Sequence, residues 1–414
     1  MRIVIVSNLY PPHYIGGYEL ACRDIVDGLR SRGHQICVVT SSFGTENARV
    51  DDDAHRVLEL ALDFATGTTA NRTKDILAIE WNNQSKFRKL LKEFNPDIVF
   101  YWNMRGFSLS LVSVSQALGL PSCFYVSDDW LASWTEQNDY WFGFWSRTPR
   151  FTLSKAAKPL CERALQILRI HTRPTNLEQC HFAFASRHML DTTHHSGKAL
   201  SNSVVIYHGV DVTNIVIKQR HDADIHRLLY VGRLVPDKGA HTAVEAFHIL
   251  RSNWGHMSIT LDIVGTGPDN EYLERLRSMI RDYRLQDNVE FLGFARRNTL
   301  QQIYNAHDVF IFPSVWEEPF SIVLLDVMAS GLPVVSTATG GTPEILVDNE
   351  NSLIFERGNA HACAEQLHRL LVDPNLADQL RMNSRRTVEA SFTFEMMLDQ
   401  IEQLLLGIVS GTEH

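Results

Sequence analysis

Two carboxylates look out of place in VWEEPFSIVLLDVMASGLPVV, residues 315 to 335. Glu318 stands beside a proline, and Asp326 interrupts an otherwise apolar run. Pro319 suits a loop and not a helix interior, so a helix is expected just after it, with Asp326 about two turns from the loop. Ionised carboxylates only accept hydrogen bonds, and two spaced in this way can hold hydroxyls at both ends of an extended ligand. The plainer alternative is that Asp326 is a solvated acid. Arg233 and Lys238 flank a loop after an apolar strand in LLYVGRLVPDKG. Arg offers a planar fork and Lys a point charge, so the two would hold an anion in complementary ways, unless both are solvated surface cations. Gly16 and Gly17 follow YPPHYI and precede a helical pattern. Glycines there let a ligand approach the backbone, and the N–H groups of a helix start attract anions. Gly340 and Gly341, with Glu344 in TGGTPEIL, form a second such pair before an expected helix. Tight turns are the alternative for both pairs. The first pair does not make GxGxxG directly after the strand, which argues against a dinucleotide enzyme.

These residues need elements to hold them. Apolar runs of strand length recur with helical patterns between them, the signature of parallel βαβ units. RIVIVS (2 to 7), QICVVT (35 to 40), DIVFYW (97 to 102) and PSCFYVS (121 to 127) read as strands of a first unit. A second series begins near residue 204 with SVVIYHG and continues through RLLYVGR, SITLDIVG, NVEFLG, DVFIFPS and LPVVST. The class is therefore α/β, with two doubly wound, Rossmann-like domains. The expected limits are 1–205 and 206–394, with a helix over 395–414 packing back on the first domain. Ligands of such sheets bind beyond the carboxyl ends of the strands, so two facing domains would form one cleft.

Composition narrows the possibilities. A chain of 414 residues exceeds what one hydrophobic core usually serves. With 44% hydrophobic and 21% charged residues it reads as an ordinary globular protein. Its formal net charge of -9 argues against a nucleic-acid binder, which needs cations to displace counterions from phosphates. The start, MRIVIVSNLYPP, reads as a buried strand and not a signal peptide, and no apolar run approaches a membrane span. Six cysteines without a CxxC pair fit reduced thiols in the cytoplasm.

YVGRLVPDKG (230 to 239), IVGTGP (263 to 268), VEFLGF (289 to 294) and the block from Pro313 to Leu346 occur in order. Together with the glycine loop they resemble the retaining glycosyltransferases of the GT-B fold, family 4, over nearly the whole chain. Glu318 and Asp326 match that family's E-x7-E motif, with aspartate in second place. The resemblance implies that Glu318 binds hydroxyls of the transferred sugar, Asp326 binds the ribose, and Arg233 and Lys238 hold the donor diphosphate. It also implies donor contacts from Gly16, Gly17, Gly265, Phe294, Phe320, Ser321 and Ile322. Fixed cations would stabilise the nucleoside diphosphate as it leaves. Many relatives carry a histidine where this chain has Ser127, in YVSDDW. Asp128 or Asp129 could take part of its role, with Asp128 as the catalytic candidate, although either could equally be a helix N-cap.

By family frequency the donor is expected to be UDP-glucose, used without a metal. DDD at 51–53 and DAD at 222–224 match D-x-D only formally. The acceptor is expected to be a glycan or lipid-linked sugar in polysaccharide assembly. Trp130, Trp134, Trp141 and Trp145 recur at spacings of 4, 7 and 4, which one helix would place on one side. Residues 147 to 173 follow, with seven Lys or Arg against one Glu. In that segment Leu160, Ala164, Ile167 and Leu168 could share a face after Pro159, placed in a first helical turn. The pairing suggests peripheral contact with anionic lipid on the inner face of the membrane, or else domain packing beside a solvated face. A sugar-nucleotide epimerase and a catalytically dead donor-binding partner are the rival readings.

Overall fold

The computed structural model describes residues 1–44, 54–62, 69, 72–146, 152–174, 176–198, 200–213, 215, 225–268 and 270–412. The two D-x-D matches lie outside them. The chain divides into two compact units. The first contains Met1–Ala185, Met189–Ile206 and Leu398–His414; the second contains Ser186–His188 and Tyr207–Met397.

The first unit is built on seven strands: β1 (Arg2–Ser7), β2 (Gln35–Ser41), β3 (His55–Leu58), β4 (Ile98–Asn103), β5 (Ser122–Val126), β6 (His181–Phe184) and β7 (Ser203–Val205). They lie in the order β3-β2-β1-β4-β5-β6-β7, every pair parallel. Both faces of the central strands are covered, so Ile3 to Val6 and Ile98 to Trp102 are continuous buried runs with no polar alternation. The strand order reverses between β1 and β4, and the connections diverge there to leave a crevice beyond the strand ends. Gly16 and Gly17 follow β1, Arg105 follows β4 and Asp128 follows β5.

The second unit carries β8 (Arg227–Val231), β9 (Thr260–Val264), β10 (Val289–Gly293), β11 (Val309–Phe312), β12 (Val334–Thr337) and β13 (Leu353–Phe355). This sheet is also parallel, in the order β10-β9-β8-β11-β12-β13, and reverses between β8 and β11. Arg233 lies just past β8, and the loop from Pro313 to Ser321 runs from β11 into the helix Ile322–Ala329.

Several expectations need correction. SVVIYHG does not open the second series, because β7 pairs with β6 and closes the edge of the first sheet. Four-residue β3 and β6 and three-residue β13 are too short to show a period in the sequence. The four tryptophans do not share a helix. Trp130 begins the helix Trp130–Ser133, Trp134 ends it in extended backbone, and a second helix, Tyr140–Ser146, carries Trp141 and Trp145. Asp139 causes the break: its carboxylate accepts from the backbone N–H groups of Trp141 and Phe142 at 3.0 and 3.1 Å and from Trp134 Nε1 at 3.1 Å. Trp130, Trp141 and Trp145 are buried in the unit's core. Pro159 lies inside the helix Thr152–Ile167 and not in its first turn. The last helix, Phe394–Ser410, meets the end of the helix Gly17–Ser31, where Arg32 reaches Asp399 at 2.7 Å and Glu402 at 2.6 Å. Among the described residues no helix is long and apolar enough to cross a membrane.

One buried acid in the first unit makes stability depend on pH. Glu80 lies in the helix Thr73–Phe94 and accepts hydrogen bonds from Ser110 Oγ at 2.5 Å, Gln84 Nε2 at 2.9 Å and the Tyr140 hydroxyl. Burial pushes its carboxyl from the usual 4.5 to about 7, against the pull of those donors. A raised folded-state value means that folding holds a proton the unfolded chain would release. The stabilising contribution is therefore full below the unfolded value and lost as pH rises through about 7. A tenfold change in proton affinity corresponds to about 1.4 kcal/mol, so the swing is on the order of 3 kcal/mol. Urea unfolding between roughly pH 4.5 and 8 should show this fall in the wild type, and Glu80→Gln should flatten it.

Candidate active site

The second unit brings three of the expected residues together at its switch point. Lys238 ends a short turn, Pro236–Lys238, and its Nζ lies 2.6 and 2.7 Å from the two carboxylate oxygens of Glu318. The two residues are 80 positions apart and meet because β8 and β11 are neighbours. The side chains of Lys238 and Glu318 are only 16% and 6% exposed. Burial lowers the Lys238 ammonium, Glu318 opposes that, and the nearby charge of Arg233 lowers it further. The Trp316 ring covers the ammonium at 4.5 Å, a cation–π contact that helps a partly desolvated charge. A buried pair of this kind is weak support for stability, because desolvation offsets the attraction, so its presence points to a use.

Glu318 is held in place from several sides. Ser314 Oγ donates to Glu318 Oε1 at 2.6 Å, and Thr337 Oγ1 donates to the Ser314 carbonyl at 2.6 Å. The backbone N–H of Gly341 donates to the Glu318 carbonyl at 2.7 Å, and Ser186 Oγ donates to that of Pro319 at 2.6 Å. Gly340 has φ +59°, and a Cβ there would lie 2.2 Å from the Glu318 carbonyl oxygen, so this loop can pack only on a glycine. Glu317 anchors the same loop by accepting from Gly340 N at 2.7 Å and Arg357 at 2.6 Å. The second glycine pair therefore positions the Glu318 loop. It leads into the helix expected there, which is a single 3-10 turn, Thr342–Glu344. The Glu344 carboxylate accepts from the backbone N–H groups of Arg187 and His188, each at 2.8 Å.

The remaining donor-side candidates have varied surroundings. Asp326 is half-buried on the helix Ile322–Ala329, and the Tyr304 phenol is raised first by its own burial and then by the Asp326 charge. Ser321 Oγ caps that helix by accepting from Leu324 N at 3.3 Å, and Ile322 is its first residue. Phe320 is 7% exposed and stacks on Tyr207 with ring centroids 5.5 Å apart, so it is packed among aromatic rings. Phe294, by contrast, is 62% exposed. Gly265 has φ +140°, and a Cβ there would lie 1.9 Å from the Gly232 carbonyl oxygen, so it holds the β8 and β9 loops together.

In the first unit Gly16 is the N-cap of the helix that Gly17 begins, with no protein atom within 4 Å of where its Cβ would be. Glu19 reaches back to accept from Gly16 N at 2.9 Å and Ile15 N at 3.3 Å, so the chain's own carboxylate already uses part of that helix start. Asp128 Oδ1 accepts from Trp130 N at 3.1 Å, while the N-cap of the helix Trp130–Ser133 is Asp129, whose side chain makes no capping bond. Asp128 Oδ2 lies 3.4 Å from an Arg105 guanidinium nitrogen that also pairs with Asp129 at 2.5 Å. Ser314, Trp316 and Arg105 escaped the sequence reading. The first two sit inside the recognised motif, but nothing in the sequence pointed to Arg105. Among the described residues no group of three His, Cys, Asp or Glu is placed to hold a metal.

A family model described as Glycosyltransferase Family 4 matches residues 15–214, and one described as Glycosyl transferases group 1 matches residues 211–387. The chain belongs to the group 1 glycosyltransferases. Its GT-B fold is shared with Anabaena HepE, solved in complex with UDP, at a TM-score of 0.72 and 18% identity over 98% of this chain and 100% of that one. Among curated relatives, spore coat protein SA of Bacillus subtilis is 28% identical over 42% of this glycosyltransferase-family chain and 47% of its own. The putative colanic acid biosynthesis glycosyltransferase WcaL of Escherichia coli is 29% identical over 48% and 50%. The chain thus spans about half the length of these two relatives.

Proposed function

We propose that the protein is a retaining glycosyltransferase that moves a hexose, with glucose from UDP-glucose as the first candidate, onto a glycan or lipid-linked sugar in polysaccharide biosynthesis. The observation that carries the reading is the buried Lys238–Glu318 pair at the β8/β11 switch point, beside Arg233. Cations there suit a nucleoside diphosphate, and a fixed carboxylate suits sugar hydroxyls. The WcaL name and the UDP in the HepE complex support the pathway and nucleotide. The diphosphate departs with its charge held by Arg233 and Lys238, and the acceptor hydroxyl attacks the same face while the leaving phosphate takes its proton. Asp326 holds the ribose, and no metal is needed. Incubation with a panel of labelled UDP-sugars tests the reading. Transfer that requires an acceptor supports it; release of an epimerised sugar without acceptor favours the epimerase, and binding without turnover favours a dead donor-binding partner.

The finer placement is peripheral, at an anionic membrane on the cytoplasmic side. Leu160, Ile167 and Leu168 are 71%, 75% and 52% exposed on or just after the helix Thr152–Ile167, with Arg163 exposed beside them. An exposed apolar face beside Arg163, in a chain of net charge -9, suits anionic lipid. Sedimentation with anionic vesicles should exceed that with neutral ones and fade as salt screens the charges. Leu160→Ser with Ile167→Ser should abolish it, and equal sedimentation with both lipids would leave a soluble acceptor as the better reading.

A further inference from the structure

We propose that Arg105 is a positioning residue that keeps the Asp128 carboxylate ionised and aimed to accept a hydrogen bond from a substrate hydroxyl. This rests on the glycosyltransferase reading above. Arg105 follows β4 and Asp128 follows β5, at the end of the first sheet where its strand order reverses nearby. The Arg105 backbone is clamped by two buried asparagines. Its N–H donates to Asn103 Oδ1 at 3.0 Å, and its carbonyl accepts from Asn8 Nδ2 at 2.9 Å. From that fixed base one guanidinium nitrogen reaches Asp129 Oδ1 at 2.5 Å and Asp128 Oδ2 at 3.4 Å. The Trp130 N–H orients the other oxygen of Asp128.

The surroundings explain why a cation is needed. Asp129 is adjacent in the chain, and Tyr18 and Glu19 from the helix Gly17–Ser31 both feel the Asp128 charge. Burial and neighbouring acids favour a protonated Asp128, and Arg105 is the cation that opposes them. A protonated carboxyl donates a hydrogen bond where a carboxylate would accept one, which changes what it can do for a hydroxyl. Arg105 is 40% exposed on its side chain, and exposed ion pairs stabilise a fold little. Its clamped backbone and two acidic partners are better explained by control of Asp128 than by stability.

The test uses the full chain with 13C-labelled aspartate carboxyls. In Arg105→Ala the Asp128 resonance should titrate at a higher pH than in the wild type, and Arg105→Lys should restore part of the difference. The acid limb of the kcat profile should move upward by the same interval, while UDP affinity measured by calorimetry stays unchanged. An Asp128 titration unaffected by Arg105→Ala overturns the assignment, and so does a shifted titration with an unmoved acid limb. Absence of transfer by the wild type overturns the underlying reading, whereas normal wild-type transfer with an unmoved Arg105→Ala profile overturns only this one.

Discussion

Replacing Glu318 by alanine should lower turnover at least tenfold, each factor of ten being about 1.4 kcal/mol of transition-state stabilisation. The carboxylate meets sugar hydroxyls whose polarity changes as the anomeric bond breaks, so its contact is expected to strengthen in the transition state. Alanine has a second effect that must be separated from the first. It leaves the Lys238 ammonium largely buried without its partner, and breaking a buried pair in this way costs about 3–5 kcal/mol. Glu318→Gln keeps the shape and the hydrogen bond from Ser314, so it should fold more nearly like the wild type while still losing turnover. Rates are to be compared per folded protein, using unfolding curves of all three. Wild-type turnover in both folded variants would remove Glu318 from the chemistry.

The second large effect is on the nucleotide itself. Lys238→Ala and Arg233→Ala should each weaken UDP binding roughly tenfold to a hundredfold, the worth of a charge-assisted hydrogen bond of about 1.5–3 kcal/mol. UDP lacks the sugar, so Glu318 offers it nothing and instead competes with the phosphates for Lys238 through two short bonds. Glu318→Gln should therefore bind UDP several-fold more tightly than the wild type at neutral pH, although it turns over more slowly. Calorimetry reads all three variants. Unchanged UDP affinity in Lys238→Ala and Arg233→Ala would place the phosphates elsewhere, and weaker binding in Glu318→Gln would contradict the competition.

The sequence showed the strands that carry the site because buried parallel strands are continuous apolar runs, as RIVIVS and DVFIFPS are. It showed Glu318 and Lys238 separately, through a pattern of residue types. Their direct contact was hidden, since β9 and β10 separate β8 from β11 along the chain although β8 and β11 are neighbours in the sheet. Trp316 and Ser314 lie within the block from Pro313 to Leu346, but only the turn after β11 shows that one covers Lys238 and the other bonds Glu318. Arg105 lies 24 residues from its partner Asp129 and reads in the sequence as one more loop cation. The tryptophan spacing fitted a helix, yet the bonds made by Asp139 divide that helix in two and turn the rings into the core. Glu80 reads as an ordinary acid on an amphipathic helix, and only the packing of Tyr140 and Ser110 against it reveals its burial.

In the proposed complex a nucleoside diphosphate binds at the end of β8 against Arg233 and Lys238, with Glu318 beyond it. A diffraction structure of the full chain with UDP tests it most directly. The diphosphate should lie within hydrogen-bond distance of Lys238 Nζ and the Arg233 guanidinium, with Lys238 drawn from Glu318. UDP bound away from both cations, or bound there with Arg233 turned aside and the Lys238–Glu318 bonds intact, would contradict it.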